Sequence, residues 1–126
     1  MGKELLNTFN KELLLKDLCA RLPYSVKVQS YNYEEDIETI EILYEINSDG
    51  YMSTIECDTL KNIFKPYLFP ISSMTEEQKI EEYKLMNSNF YASTVELPDF
   101  YNKNHIDYRG LIPMGLAIDA TGLNIY

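Results

Sequence analysis

The chain has no tryptophan, a single histidine and two cysteines among 126 residues. One histidine restricts any histidine-based acid–base pair or triad to His105, and no serine stands in a nucleophile-elbow context. Cys19 and Cys57 lack CxxC spacing, which argues against a disulfide framework or a zinc knuckle, and their apolar neighbours predict buried free thiols. Glycine and proline number five each, too few for a flexible linker. No apolar run follows a basic N-terminal cluster, and the low-charge stretch 110–126 is broken by Pro113, Gly115, Asp119 and Gly122. Neither a signal peptide nor a membrane span is expected, and a cytoplasmic location is the default.

Basic residues are also missing from one region. Between 28 and 60 there are nine acidic side chains and no lysine or arginine, whereas the rest of the chain holds 11 of each sign. The whole net charge of -9 therefore arises there. A field of that sign repels phosphate backbones and anionic membranes, so direct nucleic-acid or membrane binding is not expected. It suits a basic protein partner, or a face that only keeps the chain soluble. The cluster Glu34, Glu35, Asp36 and Glu38 does not follow the ligand spacing of a calcium loop.

What is present is a foldable chain with 45% hydrophobic residues and 11 tyrosines, of a length that suggests one domain over 1–126. Leu6, Phe9, Leu13, Leu14, Leu15, Leu18, Cys19 and Leu22 recur at helical steps, predicting a helix from about 5 or 10 to 21 that Pro23 ends. Lys11, Glu12, Lys16 and Asp17 form its polar side. Residues 24–57 alternate as strands do. Tyr24, Val26 and Val28 share one face, Ile40, Ile42, Tyr44 and Ile46 a second, and Tyr51, Ile55 and Cys57 a third. Leu43 falls on the outward parity. Gly50 in Asn47-Ser48-Asp49-Gly50 suits a tight turn, so an antiparallel three-stranded meander is expected.

Asp58 caps a short helical turn ending at Pro66, and Tyr67, Leu68 and Phe69 read as an irregular apolar plug between prolines. Thr75-Glu76-Glu77-Gln78 fits a capping box opening a second helix, with Ile80, Tyr83 and Met86 as its buried side and Leu85 as a further candidate for it. Residues 90–97 read either as a strand or as the approach to a helix. Pro98 and Asp99 suit the start of a short helix to about 105. Leu123, Ile125 and Tyr126 are expected to tie down the C-terminal segment. The fold class is α+β, a small three-stranded antiparallel meander packed against two or three helices.

The pieces at 16–24 (Lys16 through Tyr24), Lys65-Pro66-Tyr67-Leu68 with Ser72-Ser73-Met74-Thr75-Glu76-Glu77, Asp107-Tyr108-Arg109-Gly110-Leu111-Ile112 and Gly115-Leu116-Ala117-Ile118-Asp119-Ala120 carry a resemblance. Together they resemble a group of small proteins of unknown function from Bacteroides-type gut bacteria and their prophages. The resemblance spans nearly the whole chain. It implies an accessory protein of a phage or mobile element and brings no activity, cofactor or catalytic residue with it.

The densest chemistry lies in His105, Asp107, Tyr108 and Arg109. His105 and Asp107 diverge on a strand and converge only in a turn, so a structural knot is the plainer reading and a small-molecule or small-anion site centred on Arg109 the sharper one. No catalytic residue, metal site or cofactor is assigned. Two functions remain open. One is a non-enzymatic interaction protein with a partner on the acidic 28–60 region; the other is a small-ligand binder, enzymatic or not, using His105, Asp107 and Arg109.

Overall fold

A computed structural model describes residues 8–32, 37–46, 52–54 and 65–126. The chain is mixed α+β and gathers into two compact units, Met1–Pro66 and Tyr67–Tyr126. The expected turn at 47–50, the capped turn at 58–64, Cys57 and six of the nine acids of the 28–60 region lie outside the described residues.

In the first unit, helix α1 (Thr8–Arg21) runs into a 3-10 turn at Leu22–Tyr24, with Pro23 in that turn and Ser25 closing it in the left-handed region. The helix ends where proline predicted. Its buried side is Leu14, Asp17, Leu18 and Arg21, an i, i+3, i+4, i+7 stripe containing two charges. Asp17 thus leaves the polar side on which its neighbours Lys11, Glu12 and Lys16 placed it. Cys19 is exposed rather than buried, because it falls off that stripe.

β1 (Lys27–Asn32), β2 (Ile37–Ile46) and β3 (Met52–Thr54) pair antiparallel in chain order, as the meander predicts. Tyr24, however, lies in the 3-10 turn rather than in a strand, and Asn32 belongs to β1. β1 also pairs with Lys65–Pro66, so the sheet is not limited to the three strands of the meander. Its inward parity in β2 is the reverse of the expected one. Val28 stands opposite Glu41 and Lys27 opposite Ile42, and the Leu43 amide donates to Val26 O at 2.9 Å. Residues opposite one another across an antiparallel pair share a face. Buried Val26 and Val28 therefore carry Leu43 inward with them, while Ile40 and Ile42 turn to the other face with Gln29 and Lys27. Leu43 is 2% exposed and Ile40 46%.

Strand β4 (Lys65–Pro70) replaces the irregular plug expected at Tyr67–Phe69. Pro66 and Leu68 are fully buried and Tyr67 nearly so, the continuous burial of a strand covered on both faces. Its first two residues pair with β1 in the first unit. In the second unit it pairs parallel with β5 (Ile106–Asp107) and β6 (Ile118–Asp119). The prolines sit near its ends, leaving Phe69 N to donate to His105 O and Leu68 O to accept from Ala120 N, both at 2.8 Å.

The second unit continues with α2 (Glu76–Met86), opened by the expected capping box. Thr75 Oγ1 accepts from Gln78 N at 3.1 Å, and Gln78 Oε1 from Thr75 N at 2.9 Å. Asn87 closes the helix on Tyr83 O. After three residues the chain winds again, with Asn89 Oδ1 accepting from Ala92 N at 2.8 Å as an N-cap. A π-helical turn at Ala92–Glu96 leads into α3 (Leu97–Lys103), so the strand alternative for 90–97 gives way to the helical one. Pro98 explains the wide turn. It has no N–H for the carbonyl four residues back, and the Leu97 amide instead reaches Ala92 O, five back.

Candidate functional site

The described residues place the His105–Arg109 cluster on a tight connection after α3, in which every predicted member is engaged locally. His105 takes a left-handed backbone (φ 59°) where the chain leaves α3 for β5. Its ring stacks on Tyr126 at 3.7 Å between centroids. Tyr126 also packs on Phe69 and donates from its hydroxyl to Tyr67 O at 2.8 Å. The expected tie-down of the C-terminal segment is thus Tyr126, with Leu123 left exposed.

Asp107 is buried, and its two oxygens accept from Leu111 N and Ile112 N, each at 2.8 Å. A carboxylate accepting two backbone amides pins the turn that follows, in which Gly110 has φ 76°. It is a poor general base because both oxygens already hold donors. The Arg109 guanidinium lies over the Tyr108 ring at 4.5 Å, and Tyr108 stacks on Tyr101 at 4.9 Å and 20°. The four residues form two structural knots rather than one converging site: a histidine–tyrosine clasp, and a carboxylate-pinned turn carrying an arginine–tyrosine stack.

Tyr101, which the sequence did not single out, joins that stack to α2. Its hydroxyl donates to Glu82 Oε2 at 2.5 Å. Burial, and then the Glu82 carboxylate that its proton bridges, hold the hydroxyl well above the usual tyrosine range. The neutral form is therefore favoured in the folded state. That stabilisation is complete below the ordinary tyrosine pKa of about 10 and is lost as pH rises toward the higher folded value. We expect wild type to lose stability above about pH 10 more steeply than Tyr101→Phe. Urea melts across that range check this, and parallel slopes would mean Tyr101 ionises freely.

Next to these knots is a shallow cleft of about 180 Å³ with Phe69, Met74 and Ile106 as its apolar floor. Its polar rim is already bonded. Ser73 Oγ donates to Pro70 O, Thr75 and Gln78 form the capping box, and Asn104 Nδ2 donates to Phe100 O. No group of three or more His, Cys, Asp or Glu side chains suited to a metal gathers among the described residues.

The feature that sequence reasoning inverted is the orientation of α2. Its half-buried side is Gln78, Glu82 and Leu85, spaced four and three apart. Gln78 and Glu82 bond to Asn104 and Tyr101, just after and within α3. Ile80, Tyr83 and Met86, expected inside, are exposed at 56%, 69% and 54%. Phe90, at 82%, Tyr91 and Val95 continue the exposed apolar series into the next helical segment. The inversion follows from hydrogen bonding: Glu82 and Gln78 have partners awaiting them on one side, and Ile80 and Tyr83 lie nearly opposite on the helical wheel.

Among the described residues, no helix is long and apolar enough to cross a membrane. No protein-family model, curated protein or solved structure matches the chain.

Proposed function

We propose that the chain is a non-enzymatic protein-binding module, an accessory protein whose working surface is the apolar ridge formed by α2 and the start of the following helix. The resemblance to phage and mobile-element accessory proteins fits this reading. The observation that carries it is the inverted α2, which turns polar side chains toward α3 and Ile80, Tyr83 and Met86 toward solvent. An aromatic side chain has about 150–250 Å² to bury, so Tyr83, Phe90 and Tyr91 together present on the order of 400 Å². Ile80, Met86 and Val95 add to it. Single exposed apolar residues need no explanation, but a run of six is comparable with the ~800 Å² that one side of a standard interface buries.

The acidic 28–60 region remains the other candidate surface for a partner; Glu38 and Glu45 are its exposed described members. The small-ligand reading of His105, Asp107 and Arg109 is weakened by the local engagement of all three.

A tagged pull-down from cells that carry the gene separates the two surfaces. Wild type is compared with Ile80→Ser/Tyr83→Ser/Phe90→Ser and with Glu38→Gln/Glu45→Gln. A partner lost only in the serine variant is the expected result. A partner lost only in the glutamine variant would move the function to the sheet, and specific capture by none would overturn the reading.

A further inference from the structure

We infer that α2 pairs antiparallel with α2 of a second copy of this chain, giving a weak symmetric dimer. This rests on the protein-binding reading above, uses α2 alone and gives it a partner. The half-buried side of α2, Gln78, Glu82 and Leu85, sets the opposite direction of the helical wheel as outward. At about 100° per residue, Glu76, Ile80, Tyr83 and Asn87 fall within about 60° of that direction. Their steps of four, three and four are the spacing of a seam between two helices. Ile80 and Tyr83, 56% and 69% exposed, are its apolar centre. Exposed Glu77 and Lys84 border the seam on one side, and exposed Lys79 and Met86 on the other.

The charges select the orientation. In an antiparallel pair, Ile80 of each copy meets Tyr83 of the other, and each flank meets the same flank of the second copy. Glu77 then stands beside Lys84 of the other copy, and Lys84 beside its Glu77, so two opposite-charge pairs border the apolar centre. A parallel pair would instead set Lys79 beside Lys84 of the other copy twice, like against like. Among the described residues neither Glu77 nor Lys84 has an ion pair within the chain, whereas Lys79 is held by Glu76 at 3.5 Å. The net charge of -9 is carried by 28–60 rather than by α2, and the repulsion it adds between copies is screened by salt. Two helices of 11 residues bury less than the ~800 Å² per partner of a standard interface. The dimer is therefore weak, with a dissociation constant on the order of 100 µM.

Sedimentation velocity, run from well below to well above that concentration, tests this. The samples are wild type, Ile80→Ser/Tyr83→Ser, Glu77→Lys and Lys84→Glu, each checked for fold by circular dichroism. Wild type is expected to pass from monomer to dimer across the range, and the serine variant to stay monomeric. Each charge reversal alone sets like charges together at both pairs and is expected to weaken the dimer on the order of tenfold. An equimolar mixture of the two reversed variants has opposite charges at both pairs again and is expected to dimerise as wild type does. A wild type that is monomeric throughout would overturn the inference. The protein-binding reading would then stand or fall separately, on whether the pull-down above captures a different protein. A dimer unaffected by the serine substitutions would overturn the assignment to α2. A dimer that the serines break but that ignores the charge reversals, or that the mixture does not rescue, would overturn the antiparallel pairing.

Discussion

Arg21→Ala is expected to cost about 3–5 kcal/mol, the range for removing one member of a buried ion pair. Arg21 Nε lies 2.8 Å from Asp17 Oδ2, one helical turn apart, and both side chains are fully buried. Removing the guanidinium leaves the Asp17 carboxylate dehydrated without this charged partner. Replacing both residues at once has a different outcome. Asp17→Leu/Arg21→Met puts apolar volume where two desolvated charges stood and is expected to be near neutral or stabilising. Urea melts of the two variants decide the matter. A loss below about 1 kcal/mol for Arg21→Ala would mean that water reaches the pair, as at exposed ion pairs.

Leu43→Ala is expected to cost about 2–5 kcal/mol, as much as Leu18→Ala, whereas Ile40→Ala on the same strand should cost clearly less. Leu43 and Leu18 are 2% and 0% exposed, so each truncation removes a full side chain's burial and leaves a void. Nearly half of the Ile40 side chain is already in water. The comparison tests the register of β1 with β2 directly. A larger loss for Ile40 than for Leu43 would mean that β2 faces the other way.

Much of the architecture is legible in the sequence because it rests on local chemistry. Pro23 stops α1, Thr75 and Gln78 open α2, and Pro98 marks the start of α3. The antiparallel order of β1, β2 and β3 follows from short, alternating segments separated by turn residues. The inward face of β2 does not follow. Both parities carry large apolar residues, Ile40, Ile42, Tyr44 and Ile46 against Leu43, and a count favours the wrong one. Only the partner strand decides, because Leu43 falls opposite Val26.

Long-range polar contacts account for the remaining misreadings. Nothing near Glu82 announces that Tyr101, 19 residues later, will hold it inward, so α2 reads as an ordinary amphipathic helix with its faces exchanged. Asp17 reads as a member of the polar side of α1, although its i, i+4 spacing from Arg21 permits a pair. The prolines around Tyr67–Phe69 conceal β4, whose parallel neighbours come from segments roughly 40 and 50 residues further on. At His105–Arg109 the sequence shows that chemistry is concentrated and that two-residue spacing opposes convergence. It does not show the amides of Leu111 and Ile112 closing on Asp107, or Tyr126 arriving over His105.

The π-helical turn before Pro98 sets the angular phase of the segment that bears the ridge. A turn of this kind holds about one residue more than an α-turn, and each residue of an α-helix advances the wheel by about 100°. Phe90 and Tyr91 therefore point in directions that a regular helix through Leu97–Lys103 would not give them. Pro98 works as a phase shifter, uncoupling the azimuth of the apolar residues before it from that of Tyr101 after it. Two lineages could keep the same stack of Tyr101 on Tyr108 and yet aim their aromatic residues at different partners by gaining or losing a single residue between 92 and 96.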